Sequence, residues 1–270
     1  MIVSLLTDFG LRDPYVAIMK AVMMSINPRL SIVDITHEVS KYNVREASFI
    51  LASAFKYFPK GTIHVVVVDP GVGTARKGLI VKTNNYVFVG PDNGVLLPAA
   101  LMNGIREVYQ ILEEKVRLPG RKEEVSYTFH GRDVFAPVAA FLSLGTKPSE
   151  LGIATSDYLV PSFARPRFCG GGILGEVLYI DSFGSIVTNI PKDYLSRLGV
   201  KEGEDLEITF QGKLSVKLKF HKTYGECKVG KMLTLIDSFG FLEIAINMGN
   251  AANVLGVNVG DKVRVRKQGG

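Results

Sequence analysis

The sequence predicts an α/β fold in which a layered domain with a mostly parallel sheet is followed by a smaller antiparallel β-barrel. In the first 165 residues, short apolar runs alternate with helix-length amphipathic segments, which is the pattern of a sheet covered on both faces. A Pro- and Gly-rich stretch interrupts this pattern at 160–172. Short β-rich pieces follow at a spacing of roughly 8–12 residues, typical of a small barrel or sandwich. We therefore expect an N-terminal domain at 1–162, a linker at 163–172 and a C-terminal domain at 173–270.

The N-terminal strands are predicted from nearly continuous runs of Val, Ile and Leu, as in buried parallel strands. They are Ile2–Leu6, Ser31–Ile35, Ile63–Val68, Leu79–Lys82, Tyr86–Val89 and Arg106–Tyr109. Apolar residues at helical spacing predict three helices, at Pro14–Ile26, Val44–Tyr57 and Asp133–Leu144. Asp13 is the expected N-cap of the first helix, since proline suits the first helical position.

The C-terminal strands are predicted from alternation of apolar and polar residues between turn signals. They are Ile173–Asp181, Ile186–Ile190, Leu206–Phe210, Lys213–Phe220, Met232–Ile236, Phe241–Ile246 and Lys262–Arg266. The basic run within the last of these alternates with valine, which is typical of one solvated face of a strand.

The composition excludes several classes of protein. A hydrophobic content of 47% excludes disorder, and two cysteines in 270 residues exclude a disulfide scaffold. Cys169 and Cys227 could pair only if the fold brought them together, and we expect two isolated thiols. The net charge of +6 is shared equally, +3 in residues 1–165 and +3 in 166–270, which argues against nucleic acid as a partner. No apolar run is long enough for a membrane span, and Asp8 comes too early for a signal peptide. We expect a soluble cytoplasmic protein.

Polar side chains follow the predicted strands at the edge where α/β sheets bind ligands. Asp8 directly follows the first strand, where a carboxylate could accept two hydrogen bonds from a ribose diol; a turn or helix-capping role is the alternative. Asp69 follows four valines and precedes a Pro/Gly loop that ends at Arg76. Folding of this loop would bring the two side chains together, either as a functional pair or as a loop clasp. The loop lacks the residues of a P-loop, so the sequence does not indicate phosphate binding.

His130 is the histidine with the strongest functional signal, because it lies in a polar Gly-containing loop just ahead of a predicted helix. His37, at another strand end, is the second candidate. The turn Pro91-Asp-Asn-Gly94 is a further polar strand end and is also ordinary turn chemistry. No spaced set of metal ligands occurs, and no nucleophile motif supports acyl transfer.

Taken together, these motifs resemble the S-adenosyl-L-methionine hydroxide adenosyltransferases, relatives of the fluorinases and chlorinases. The resemblance spans nearly the whole chain and is specific in order and spacing. The matching segments are Leu6-Thr-Asp-Phe-Gly10, Val68-Asp-Pro-Gly-Val-Gly73 with Arg76, Pro91-Asp-Asn-Gly94, Thr128-Phe-His-Gly-Arg-Asp133 with Phe135-Ala-Pro137, Asp181-Ser-Phe-Gly184 with Thr188-Asn189, and Ser238 through Asn250-Ala-Ala252.

The resemblance implies hydrolysis of S-adenosyl-L-methionine to adenosine and L-methionine, with a preference for the (R)-sulfonium epimer and no cofactor. It implies that Asp69, Arg76 and His130 activate water and that Asp8 holds the ribose diol. It further implies that methionine and adenine are held by Asp181, Ser185, Asn189, Ser238 and Glu243, with Tyr224 as an aromatic wall. It also implies a homotrimer with active sites between the N-terminal domain of one subunit and the C-terminal domain of its neighbour.

Two positions depart from the family pattern. Ser185 stands where the motif usually has asparagine, and Phe239 stands where halogenating relatives carry arginine. Halogenases also have tyrosine where this chain has Asp69, together with an extra loop in the first domain. An adenosyl-halide-forming enzyme, against which Asp69 argues, is one alternative, and a non-catalytic adenosine or S-adenosylmethionine sensor is another.

Overall fold

A computed structural model describes residues 1–116 and 125–267 of the protein. The chain divides into two compact units, Met1–Pro161 and Ser162–Gly270. Each unit has its own hydrophobic core. No helix within the described residues is both long enough and apolar enough to cross a membrane.

The first unit is built on a seven-stranded sheet of order β2-β1-β3-β5-β4-β6-β7. Its strands are β1 Ile2–Thr7, β2 Ser31–Thr36, β3 Ile63–Val67, β4 Gly78–Thr83, β5 Val87–Pro91, β6 Ile105–Ile111 and β7 Gly152–Ala154. Pairings β2–β1, β1–β3 and β3–β5 are parallel and the other three are antiparallel, so five of the seven described strands point the same way. The predicted α/β class with a mostly parallel sheet is confirmed.

Helices cover both faces of this sheet. They are α1 Tyr15–Ile26, α2 Val44–Ala54, α3 Leu97–Asn103, α4 Ala136–Ser143 and α5 Pro148–Leu151. Alternate residues of a strand point to opposite faces. Val3, Leu5 and Val65 accordingly share a core with α1 and α4, whereas His64 on the opposite face contacts Phe55 at the end of α2.

The starts of two predicted helices differ from the structure. The N-cap of α1 is Pro14 and no side chain caps this helix, so Asp13 is not the cap. The helix predicted from Asp133 begins instead as a π-helical turn at Gly131–Phe135 and continues as α4. This turn positions His130, which precedes it directly.

The second unit is an antiparallel sheet of order β12-β11-β15-β9-β10-β14-β13, with β8 paired to β9. The strands are β8 Arg167–Cys169, β9 Gly172–Ile180, β10 Ile186–Pro191, β11 Asp205–Phe210, β12 Leu214–Lys219, β13 Met232–Ile236, β14 Phe241–Ile246 and β15 Lys262–Lys267. The edges approach each other where Phe220, just after β12, bridges to Thr234 of β13. The sheet is therefore nearly closed, which confirms the predicted barrel.

The remaining helices of this unit are short, α6 Lys192–Arg197 and α7 Ala251–Leu255. Residues 163–172, predicted as a linker, contain part of a 3-10 helix at Ser162–Ala164 and the strand β8. Both cysteines are free thiols, Cys169 exposed and Cys227 partly buried, as expected from the composition.

His64 is a buried titratable group in the first core. Its ring is fully buried, stacks on Phe88 with ring centres 5.1 Å apart, and lies 2.6 Å from the Ser4 hydroxyl through Nδ1. Its Nε2 is buried without a hydrogen-bond partner. Burial lowers the pKa of His64 from 6.5 to about 3, because no neighbouring group compensates for the lost hydration of the charged ring.

We expect His64 to make the protein acid-sensitive. Because its pKa is lower in the folded chain than in the unfolded chain, the unfolded state binds the extra proton as the pH falls from 6.5 towards 3. The free energy of unfolding should then fall by up to about 1.4 kcal/mol per pH unit from this group alone. In urea titrations across this range, His64→Leu should flatten the slope. Phe88→Leu, which perturbs the same core without a titratable group, should lower stability at every pH and keep the slope.

Candidate active site

A cavity of about 250 Å³ lies at the edge of the first sheet where its parallel strands end. Asp8 follows β1 and Asp69 lies just beyond β3. Because adjacent parallel strands end at the same edge, both carboxylates reach this cavity. Its lining comprises Asp8, Phe9, Asp13, Tyr15, Lys41, Tyr42, Val67, Asp69, Val72, Thr128, Phe129, His130 and Gly131. Two of the three predicted water-activating residues, Asp69 and His130, therefore lie in the cavity wall together with Asp8.

The loop between Asp69 and Arg76 folds back on itself. Val72 N–H donates to the Asp69 carbonyl at 3.3 Å, and the Thr74 hydroxyl donates to the Gly71 carbonyl at 2.7 Å. Gly73 lies in the left-handed region with φ of 75°, and a Cβ there would come within 2.2 Å of the Tyr127 carbonyl oxygen. Only glycine fits this approach.

Arg76 and Asp69 form a two-point ion pair. Arg76 Nε donates to Asp69 Oδ1 at 3.1 Å, and Arg76 Nη2 donates to Asp69 Oδ2. The two side chains are 9% and 4% exposed. Arg76 Nη1 donates to the Lys77 carbonyl at 3.0 Å, and the guanidinium stacks on the buried Phe135 ring at 5.4 Å. The guanidinium is therefore held in place from several directions.

His130 completes this group, because its Nδ1 lies 3.1 Å from Arg76 Nη2. A guanidinium can only donate hydrogen bonds, so Nδ1 is the acceptor and we assign the ring proton to Nε2. Burial lowers the pKa of His130, and the Arg76 charge lowers it further, although the nearby Glu113 carboxylate opposes the shift. His130 is consequently a neutral ring with an Nε2–H donor near neutral pH.

The pKa of Asp69 is shifted in the opposite direction. Burial raises it, because the ionised carboxylate loses hydration, and the Arg76 charge and hydrogen bonds oppose the rise. The site thus combines a carboxylate with increased proton affinity, a neutral imidazole and a permanent cation. This combination can bind an oxygen nucleophile and remove its proton.

Asp8 is fixed by the loop that follows β2. The Tyr42 N–H donates to Asp8 Oδ2 at 2.8 Å, and Lys41 Nζ donates to the Asp8 carbonyl. Tyr42 adopts a left-handed φ of 64°, which is uncommon for a non-glycine residue and is often found at functional sites. Asp8 is 5% exposed and lines the cavity.

An aromatic wall lies beside these polar groups. Phe9, Tyr15 and Phe129 contact each other with ring centres 5.1–5.8 Å apart, and all three line the cavity. The cavity therefore pairs a charged wall with an apolar one, as small-molecule sites commonly do.

The residues predicted in the C-terminal unit form a second group around Glu243, which is 3% exposed on β14. The Tyr224 hydroxyl donates to Glu243 Oε1 at 2.8 Å, and the Ser185 side chain also hydrogen bonds to Glu243. Burial raises the pKa of Glu243, and the charges of Asp181 and Asp237 raise it further. Ser238 lies exposed in the turn after β13.

Asp181 anchors a turn whose sequence, Asp-Ser-Phe-Gly, occurs again at 237–240. In both copies the aspartate Oδ1 accepts the N–H groups two and four residues later, at 3.0 and 2.8 Å in the first copy and 2.9 and 2.8 Å in the second. The two turns lead into β10 and β14, which pair with each other. This repeat was not predicted, although the two identical tetrapeptides are visible in the sequence.

Asn189, also predicted to bind substrate, has backbone partners at both ends of its amide. Its Oδ1 accepts from Glu176 N–H at 2.8 Å, and its Nδ2 donates to the Phe163 carbonyl at 3.2 Å. A ligand would have to compete with these bonds.

Comparison with known proteins places the chain in a family. Residues 3–152 match the sequence model of the SAM hydroxide adenosyltransferase N-terminal domain, and residues 175–264 match that of the C-terminal domain. The chain belongs to the SAM hydroxide adenosyltransferase family.

Similar proteins cover nearly the full length. An (R)-S-adenosyl-L-methionine hydrolase from Thermus thermophilus is 38% identical over 97% of this chain and 98% of its own. A protein of the same name from Salinispora tropica is 36% identical over 97% of both chains. The crystal structure of an uncharacterized conserved protein from Thermotoga maritima superimposes with a TM-score of 0.83 at 42% identity, over 98% of this chain and 100% of that one.

Of the two histidines that the sequence offers as candidates, His130 lines the cavity and His37 does not. His37 is buried outside the cavity lining, with Nδ1 2.9 Å from the Thr7 hydroxyl and Nε2 3.1 Å from Asp34. Lys41 and Tyr42, by contrast, line the cavity and belong to no motif that the sequence could reveal.

Within the described residues, no three His, Cys, Asp or Glu side chains are grouped so as to hold a metal ion.

Gly73→Ala should destabilise the first unit more than Gly61→Ala. Both glycines have a left-handed φ, 75° and 87°, so each alanine costs roughly 1–2 kcal/mol in backbone strain. Only the alanine at Gly73 meets a backbone oxygen, whereas nothing lies within 4 Å of a Cβ at Gly61. Urea unfolding of both variants measures the difference. Equal losses would contradict the close approach of the Asp69–Arg76 loop to Tyr127.

Proposed function

We propose that this protein hydrolyses (R)-S-adenosyl-L-methionine to adenosine and L-methionine. The observation that carries the proposal is the convergence of Asp69, Arg76 and His130 beside a cavity that also contains Asp8. Family membership and the names of the full-length relatives support this substrate and the (R) epimer.

The reaction is an SN2 displacement at the ribose C5′ carbon. A C5′–O bond forms to water or hydroxide while the C5′–S bond breaks, and its electron pair goes to sulfur. Methionine leaves as a neutral thioether, so the leaving group needs no proton. The difficulty lies with the nucleophile, because water is a weak nucleophile and hydroxide is scarce at pH 7. The one proton released must pass from the attacking water to a base.

The three residues supply what this step requires. Arg76 stabilises the negative charge that develops on the nucleophile oxygen, and the Nε2–H of His130 orients that oxygen. Asp69 accepts the proton, since burial has raised the pKa of its carboxyl. A general base contributes about 10²–10⁴-fold, and positioned charges contribute a further large factor.

The other predicted residues would hold the substrate. Asp8, with its carboxylate already fixed by the Tyr42 N–H, would accept hydrogen bonds from the ribose diol. The ammonium of the methionine part and the edge of the adenine would be bound by the carboxylates and hydroxyls of Asp181, Ser185, Ser238 and Glu243. Tyr224 lies beside them, hydrogen bonded to Glu243, and Asn189 supports this group through its hydrogen bond to the Glu176 backbone. We propose that the reaction needs no cofactor, that it takes place in the cytoplasm, and that the protein is a homotrimer.

Product analysis tests the reaction directly. The protein should release adenosine and methionine from the (R) epimer faster than from the (S) epimer, in the presence or absence of chloride. Asp69→Asn, Arg76→Ala and His130→Ala should each lower kcat by about 10²–10⁴-fold while the variants still bind adenosine. Glu107→Gln, which breaks an exposed ion pair in the same unit, should turn over normally. Unchanged turnover in the three variants, an adenosyl halide as product, or binding without any product would each refute the proposal.

Mixed oligomers test whether active sites are shared between subunits of the proposed homotrimer. Asp69→Asn inactivates the group formed by Asp69, Arg76 and His130 in the first unit. Glu243→Gln inactivates the group around Glu243 in the second unit. If each site draws these groups from neighbouring subunits, co-expressed chains should recover about a quarter of the wild-type sites by random assortment. Light scattering verifies the trimer mass. No recovery, from a preparation shown to contain mixed trimers, would place both groups of a site on one subunit.

A further inference from the structure

The turn Pro91–Gly94 at the end of β5 is a conspicuous motif to which the reaction assigns no part. Its residues do not line the cavity. Two of its hydrogen bonds nevertheless reach the peptide groups next to the Asp69–Arg76 pair. Asn93 Nδ2 donates to the carbonyl of Val68, the residue directly before Asp69, at 2.8 Å.

The second bond supports the other end of the same loop. Asp92 N–H donates to the carbonyl of Lys77, the residue directly after Arg76, at 2.8 Å. This carbonyl is also the acceptor for Arg76 Nη1 at 3.0 Å. The turn therefore holds the beginning and the end of the loop that carries both charged groups.

The turn is itself fixed. Asn93 Oδ1 accepts the Val95 N–H at 3.1 Å, and Asp92 Oδ1 accepts the Leu159 N–H at 2.8 Å. Gly94 has a left-handed φ of 91°, and a Cβ there would lie 2.5 Å from Pro161 Cγ. A rigid turn that bonds to both ends of a catalytic loop can hold its side chains to within a fraction of an ångström.

We propose that Asn93 is a positioning residue for the hydrolysis. Its side-chain amide donates a hydrogen bond to the Val68 carbonyl and so fixes the backbone directly before Asp69. Asp69 and its ion-pair partner Arg76 are thereby held where they can align the nucleophile. The proposal rests on the proposed function, since it concerns the rate of that reaction. A misplacement of about 1 Å in a catalytic group costs on the order of 10²-fold in rate, even when the substituted residue is remote from the substrate.

Asn27 provides a matched control in the same unit. Its Oδ1 accepts the N–H of Arg29 at 3.1 Å, and its Nδ2 donates to the Ser143 hydroxyl at 2.9 Å. Both asparagines thus close a local turn with the oxygen and make one distant bond with the nitrogen. Asn27 lies between α1 and β2, at the edge where the parallel strands begin and so opposite the cavity.

The test compares Asn93→Asp and Asn93→Ser with Asn27→Asp and Asn27→Ser. Each variant retains an oxygen for the local turn and loses the distant donor, and the serine variants add no charge. We expect both Asn93 variants to lower kcat about 10- to 100-fold with KM within about threefold, and to bind adenosine as the wild type does. Both Asn27 variants should keep wild-type kcat and KM, and thermal unfolding midpoints show which variants are folded.

The outcomes separate this inference from the proposed function. If the wild type releases no adenosine, the function itself is wrong. If the wild type is active and folded Asn93→Ser keeps its kcat, or loses only substrate affinity, Asn93 is not a positioning residue. Loss of kcat in Asn93→Asp alone would indicate an effect of the added charge and would also overturn the proposal.

Discussion

The carboxylate of Asp69 lies almost fully buried against the guanidinium of Arg76, and His130, Phe135 and the turn at Pro91–Gly94 all contact this pair or the loop that carries it. Removing two charges from water costs several kcal/mol for each ion, so such a pair persists only with close two-point geometry and further hydrogen bonds. The structure supplies both. Arg76 also bonds to the Lys77 carbonyl and stacks on Phe135, and the glycines of the loop allow the chain to fold back over seven residues. Loss of one partner would leave the other charge buried and uncompensated.

His130 depends on the same pair for its chemical state. Because Arg76 donates to Nδ1, the ring is neutral and presents its proton on Nε2. The π-helical turn that follows His130 places the ring beside Arg76 and brings Phe135 beneath the guanidinium. Charge, tautomer and orientation are thus set before any substrate arrives, which is the arrangement that electrostatic catalysis requires.

Strong local patterns explain the parts of the fold that were predictable. The valine-rich run before Asp69 and the alternation in β11 and β15 identify strands, because burial on two faces or on one leaves a clear periodicity. The helix α3 and the strand β8 are among the elements that were not predicted, and the structure of each is set by its neighbours. α3 is short, contains proline and is buried on most sides, so it lacks an amphipathic pattern. β8, within the predicted linker, is a strand because it pairs with β9.

The sequence by itself determined the α/β and barrel classes, the polar strand ends and the family, since these depend on periodicity and on short motifs in order. It singled out Asp8, Asp69, Arg76 and His130 but left open whether the Asp69–Arg76 contact was a loop clasp or part of a site. Only the tertiary structure decided that Asp8, Asp69 and His130 line one cavity, that Nδ1 of His130 faces the Arg76 guanidinium, and that Asn93 bonds to the peptide before Asp69. These facts depend on distances between residues that lie 25 or more positions apart in the chain, which are set by strand pairing and packing rather than by local sequence.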